Sequence, residues 1–417
     1  MRKRLLLLPA ACLIAAASPH ADADPFGTLG SVSSTGALGN LSSYIGDGEY
    51  ITTFNTDNGQ IRSSASGGFL VTTLPHTSVT EYPGGPSLNV YNFASFDSPL
   101  LANFTFIGSQ PAVIAATGNI SIAGHLHVAA GGGAGGVGGF KNYPTSYQND
   151  GFPGGNAGGG SGGIGAGVLY TPSIYGGYSG GPGGGGGSVS PGQSGSLGTI
   201  QTGLGAPGPG FQNQGGAGGL AQNTAILQGA GGGGGGAGGF IPGERDSGAT
   251  GGAGGGALFF ITPGDFTVNL HASLSADGGA GSTPNESGGS SGGGGGGELW
   301  FDIGQIFDNE GTITALGGAG GNAHLSDVQT GLDVGGGGSG GELLIDPTEI
   351  INNGTLNVSD GLGGNLYGGE VELISPLIVN NGQIQGVAVP EPSGLVLLLP
   401  ALGGLLLGRV RRAPHSA

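Results

Sequence analysis

The chain has 417 residues, 104 of them glycine, and a formal net charge of −17. An acidic balance of that size makes nucleic acid and anionic lipid surfaces poor partners. Charged residues are 8% of the chain, against about 25% in ordinary domains, and without a strict Gly-X-Y period a collagen triple helix is excluded.

From the N-terminus, Arg2-Lys3-Arg4 is a positive segment and Leu5 to Ala17 an apolar one. Ala21-Asp22-Ala23 then fits an A-x-A cleavage site. Together residues 1–23 read as a secretory signal peptide, with Ala21 and Ala23 as the cleavage residues. Ala15-Ala16-Ala17 offers a second site of the same kind. The single cysteine, Cys12, lies inside this segment, so the mature chain is expected to have neither disulfide nor thiol chemistry. Between the two ends the only cationic side chains are Arg62, Lys141 and Arg245.

Residues 24–100 are expected to form an N-terminal β cap, with strands over Glu49 to Phe54, Gly67 to Thr73 and Leu88 to Phe93 separated by Gly, Pro and Asn turns. Residues 101–130 hold short strands such as Phe104 to Ile107 and Ile120 to Val128. Residues 131–256 form a glycine-rich insert. Two states are open to it: a flexible fringe, since glycine loses the most entropy on ordering, or extended left-handed helices packed backbone to backbone. Tyr143, Tyr147, Tyr170, Tyr175 and Tyr178 would then line its surface.

Over 257–388 an internal repeat emerges. Gly297-Glu298-Leu299-Trp300, Gly341-Glu342-Leu343-Leu344 and Gly369-Glu370-Val371-Glu372 each lead into an apolar strand. Second apolar pieces follow at Ile306-Phe307, Ile350-Ile351 and Ile378-Val379, and third pieces after Gly311, Gly354 and Gly382. Asn309, Asn352 and Asn380 then fall in one column, with Leu270 and Ile122 as the matching earlier residues. Three short strands per repeat suit a parallel β-helix or solenoid, an all-β fold with long glycine-rich insertions at one corner. Ile313, Leu356 and Ile384 should point inward and stack, and the asparagine amides should form a ladder. Asparagine also tolerates the left-handed backbone of a tight corner.

Few residues suggest chemistry. Gly-x-Gly-x-x-Gly occurs often enough by composition alone to carry no information, and no Lys follows a glycine run as a phosphate loop requires. Gly317 to Asn322 approaches a calcium nonapeptide but has Asn where Asp is needed; Asp302, Asp308 and Asp346 would bind calcium only weakly. His125 and His127 alternate on one strand face but lack a third ligand, so they read as solvent-facing residues and no metal site is assigned. Asn55-Thr56-Asp57 resembles a triplet of β-helix pectin hydrolases. That family's Asp-Asp pair, Gly-His-Gly and Arg-x-Lys are all missing here, so the triplet reads as a turn. Neither a catalytic residue nor a cofactor is assigned.

The tail has three parts: Pro390-Glu391-Pro392, the uncharged stretch Gly394 to Gly408, and the basic end Arg409, Arg411 and Arg412. A helix over the uncharged stretch would cover roughly 22 Å, short of the ~30 Å hydrocarbon core. Residues 389–412 resemble the PEP-CTERM sorting signal of secreted bacterial proteins, and 413–417 are a residual tail. The resemblance implies an exosortase-type protease and the secretion machinery as partners, transient inner-membrane contact through a C-terminal transmembrane helix, and a final place at the cell surface or in the extracellular matrix. The expected function is that of a secreted, non-catalytic protein associated with extracellular polysaccharide. The alternative is a β-helix carbohydrate-active enzyme, a polysaccharide lyase or hydrolase, which would need carboxylates lining a groove.

Overall fold

The computed structural model describes residues 26, 29–44, 51–63, 69–81, 87–100, 103–137, 185–188, 191–195, 220, 226–236, 239–241, 244–246, 248–283, 289–322, 335–362, 368–390 and 395–396. They form an all-β structure whose helical content is two single turns, Leu29–Ser31 and Leu41–Ser43. Most strands pair in parallel with a strand from the next repeat.

Three parallel ladders organise the chain. The first runs through Ser87–Phe93, Ala112–Ala116, Ala257–Thr262, the front halves of Glu298–Asn309 and Glu342–Asn352, Glu370–Leu373 and Val387–Pro390. The second runs through Phe96–Ser98, Ile120–Ile122, Phe266–Val268, the back halves of the same two long strands, Leu377–Asn380 and Leu395–Val396. The third joins Ile51–Asn55, Asn103–Ile107, His125–Val128, Ser273–Ser275, Thr312–Thr314, Thr355–Asn357 and Gln383–Gln385. The long strands carry the first ladder into the second, and the register shifts between Ile303 and Ile306, where the sheet curls. At the N-terminal end the ladders stop in antiparallel pairs: Gln60–Ser63 and Phe69–Thr73 close the third, and Thr77–Thr80 closes the first.

Alternation sets the core. Along the third ladder Phe104, Leu126, Leu274, Ile313, Leu356 and Ile384 are partners in one column. Ile313 and Leu356 are fully buried, and Ile384 packs partly buried against the same cluster. The expected inward stack is therefore present, in parallel register. Aromatic rings from the other two ladders fill the interior: Phe260 lies on Phe301 at 5.6 Å, and Phe266 on Phe307 at 5.5 Å with ring planes 4° apart. Such offset stacks add to what their area burial contributes.

The asparagine column is also present. Asn309 Nδ2 donates to Asn352 Oδ1 at 2.8 Å, and Asn352 Nδ2 to Asn380 Oδ1 at 2.8 Å. Two details differ from the sequence expectation. These residues are in strands rather than in a left-handed corner, and Asn309 Oδ1 caps the turn by accepting the Gly311 N–H. The column continues through Val268, not Leu270. The corner before Ser273 is longer than its later counterparts, with His271 at φ 71°, and it leaves Leu270 exposed. Ile122 occupies the column as expected.

The glycine runs are ordered where described, and they select the second of the two expected states. Successive amides of Gly292, Gly293 and Gly294 donate to Gly234, Gly336 and Gly279. Gly295, Gly296 and Gly297 then donate to Gly231, Ser339 and Ala276, the same three segments in the same rotation. A partner that returns every third residue is the signature of a threefold extended helix, which has no internal hydrogen bonds and turns each amide outward to a neighbour. Carbonyls of the same segment accept from Gly186, from Gly252 and Gly255, and from Gly318 and Gly321. Segment 289–297 thus has six neighbours. They also bond to each other in a closed ring: Gly233 to Gly252, Gly279 to Ala253, Gly278 to Leu316, Gly338 to Gly318, Ser339 to Gly186 and Gly231 to Gly187. Only glycine permits this spacing, since a Cβ on Gly294 would sit 1.9 Å from the Ala253 carbonyl oxygen. The insert also contains one antiparallel hairpin, Gly239–Ile241 with Glu244–Asp246.

Candidate functional site

The first ladder is buried on both faces. Leu258, Phe260, Leu299, Phe301 and Leu343 face the main core, while Phe259, Trp300 and Leu344 face a second cluster with Phe26, Leu29 and Leu227. In that second face one column reads Ala257, Glu298, Glu342, Glu370. A glutamate at the start of an outward-facing column would ordinarily meet water. Here the glycine-rich insert covers it: the Gln228 N–H donates to Glu298 Oε2 at 2.9 Å, and the Leu227 N–H donates to Glu81 Oε1. Glu298 and Glu342 are 0% and 3% exposed, and Glu81 is 5% exposed.

Electrostatics follow from that burial. Glu298 is held well above the usual carboxylate range, first by loss of water and then by the charge of Glu342 beside it, with Glu81 adding to the repulsion. Glu342 is pushed up to about 8 by burial and by Glu370 and Glu372. Glu81 is pushed up to about 7, chiefly by burial. The indole N–H of Trp300 partly offsets the burial of Glu342 without reaching full hydrogen-bond geometry. Glu298 Oε1 and Glu342 Oε2 accept no hydrogen bond. Burial and mutual repulsion therefore favour the protonated form of both groups. Paired carboxyls with raised pKa are the acid–base equipment of glycan hydrolysis, but a polymer cannot approach oxygens that lie beneath the chain. Within the column it is Glu298 that ties the insert to the first ladder, through the Gln228 N–H.

The opposite chemistry lies on the outer face of the third ladder. One column carries Asn103, His125, Ser273, Thr312, Thr355 and Gln383. The next carries Thr105, His127, Ser275, Thr314, Asn357 and Gln385. All are exposed or half-exposed, and none is Lys, Arg, Asp or Glu. His125 Nδ1 meets Ser273 Oγ at 2.8 Å and His127 Nδ1 meets Ser275 Oγ at 3.1 Å, so the two histidines are solvent-side strand residues as expected. Among the described residues no group of three or more His, Cys, Asp or Glu is placed to hold a metal ion.

No family model, curated protein or solved structure matches the chain.

Of the residues singled out in the tail, Pro390 closes the strand Val387–Pro390 opposite Leu373. Leu395–Val396 pairs with Leu377–Ile378, so the start of the uncharged stretch is strand rather than helix. Among the described residues no helix is long and apolar enough to cross a membrane. Glu391, Pro392, Arg409, Arg411, Arg412, Ala21 and Ala23 lie outside the described residues, as do the five tyrosines of the insert. Asn55-Thr56-Asp57 is a turn: Asp57 accepts the Ser109 N–H at 2.9 Å, and Thr56 Oγ1 donates to the Gln110 carbonyl at 2.8 Å. The buried glutamates and the uncharged face were not singled out from sequence. A usable signal existed for the first: three glutamates share the repeat position that Ala257 fills in the preceding repeat.

Proposed function

We propose that this chain is a secreted, non-catalytic protein of the cell surface or extracellular matrix, built on a parallel β-helix and in contact with extracellular polysaccharide. In this reading the three ladders are the three faces of one solenoid, and the glycine segments leave it at one corner and stack there. The single observation that carries the reading is the closed ring of glycine segments around 289–297. It makes the described glycine runs an uncharged, hydrogen-bonded scaffold. The cluster of Glu81, Glu298 and Glu342 is sealed beneath that scaffold, which speaks against the alternative of a carbohydrate-active enzyme. The same ring moves the expected polysaccharide contact away from the glycine backbone, because those amides and carbonyls already bond to each other.

Delivery rests on the two ends. The n-region, apolar run and Ala21-Asp22-Ala23 support export, and the tail resembling PEP-CTERM supports handling by an exosortase-type protease at the inner membrane. The test is mass spectrometry of the termini of protein recovered from outside the cell, in strains with and without that protease. The expected product begins after the signal peptide and ends near Pro390-Glu391-Pro392. Protein recovered outside with Arg409 to Arg412 still attached removes the sorting step, and purified protein that depolymerises a glycan removes the non-catalytic reading.

A further inference from the structure

We infer that the outer face of the third ladder is the surface that meets polysaccharide, and that its partner is a neutral, hydroxyl-rich chain rather than an anionic one. The inference rests on the function proposed above and names the contact that reading leaves open.

The ladder sets the geometry. Its six strands from Asn103–Ile107 to Gln383–Gln385 lie side by side without interruption. At about 4.8 Å per strand they make a face roughly 24 Å long, with outward side chains about 6.6 Å apart along each strand. Every position in the two outward columns is Asn, Gln, Ser, Thr or His, so each offers a donor, an acceptor or both, and the apolar Ile107 lies at the edge of the first strand.

Charge supplies the complementarity. The chain as a whole carries a formal −17, yet no carboxylate projects from these two columns. The flanking Asp277 is tied down, accepting Thr314 Oγ1 at 2.9 Å and the Leu316 N–H at 2.8 Å. An anionic glycan would be repelled by the molecule at large and would find no Lys or Arg on this face to offset that. A neutral glycan faces no such penalty, and exchanges water for hydroxyls and amides arranged in rows. Thr312 and Thr355, adjacent in one column, make no side-chain hydrogen bond among the described residues, so their hydroxyls are available to a partner. Each contact is weak, and the regular repeat lets many act together along one chain.

The experiment uses the full secreted chain in affinity electrophoresis and pull-down, with dextran and cellulose as neutral probes and alginate as the anionic one. The wild type is expected to be retarded by at least one neutral probe and not by alginate. The double variant Thr312→Glu with Thr355→Glu places charge on the face without burying it. It should lose that retention by roughly tenfold or more, as expected when contacts act in concert. Thr312→Ser with Thr355→Ser keeps the hydroxyls and should bind as wild type, which separates lost chemistry from lost folding. Ala253→Glu, on the exposed side of the glycine bundle, should also bind as wild type. Retention by the glutamate variant equal to wild type, or loss in Ala253→Glu alone, overturns the placement while leaving the polysaccharide reading standing. Preference for alginate overturns the neutral partner. A wild type that binds none of the probes overturns both.

Discussion

Asn309 donates its side-chain amide to Asn352 at 2.8 Å, and Asn352 passes the bond on to Asn380. Asn309 and Asn352 are buried. Removing the middle member takes the Asn352 acceptor away from the buried Asn309 amide, while Asn380 is exposed and can turn to water. Asn352→Ala should therefore cost about 1–3 kcal/mol, because a desolvated donor loses its acceptor in the interior. The triple replacement of Asn309, Asn352 and Asn380 by Val should cost far less, since Val268 and Ile122 already fill the same column. Chemical denaturation of both variants checks the pair of expectations, and equal losses would contradict them.

Glycine substitutions should divide by location. At Gly294 an added Cβ meets the Ala253 carbonyl oxygen at 1.9 Å, a backbone atom that cannot turn aside. At Gly39, with φ +67°, the Cβ meets nothing within 4 Å. Gly39→Ala should cost only the left-handed backbone penalty, roughly 1–2 kcal/mol. Gly294→Ala should cost more, at least about 3 kcal/mol, because whole segments must move apart. Thermal melts that rank the two variants the other way would contradict the packing.

The third expectation is pH dependence. Glu342 has a folded pKa of about 8 and Glu81 one of about 7, both raised from 4.5. A raised folded pKa means that the folded state holds the proton more tightly than the unfolded state. The stabilisation is complete below about pH 4.5, declines as pH rises, and is gone above about pH 8. The groups that set this window are Glu81, Glu298, Glu342, Glu370 and Glu372, with Trp300 and the Gln228 amide opposing them. Glu342→Gln should melt close to wild type at pH 5 and clearly above it at pH 9. Parallel melting curves for the two proteins across that range would contradict the assignment.

Much of the third ladder was legible because its signals are local. Gly311, Gly354 and Gly382 mark turns of equal length, and counting outward from them places Ile313, Leu356 and Ile384 in register. The same counting failed before Ser273, where the turn is longer and its left-handed residue is His271 rather than glycine. The glutamates were visible as one repeat position, but their burial was not, because alternation alone sends Glu298 to the solvent side of its strand. Its burial comes from Leu227 and Gln228, about seventy residues away, in a segment whose sequence does not say where it packs. The glycine runs announced an unusual structure but not which one. That choice depends on which distant segment receives each amide, and nothing in a run of glycines encodes the recipient.

The most direct test of the account is amide hydrogen exchange across Gly292 to Gly297. The ring of neighbouring segments predicts that these amides are protected together, close to the level of the ladder strands beside them, because each is bonded within a dry interior. Exchange near the rate of an unstructured chain would contradict it, and with it the claim that the glycine segments form one folded body with the ladders.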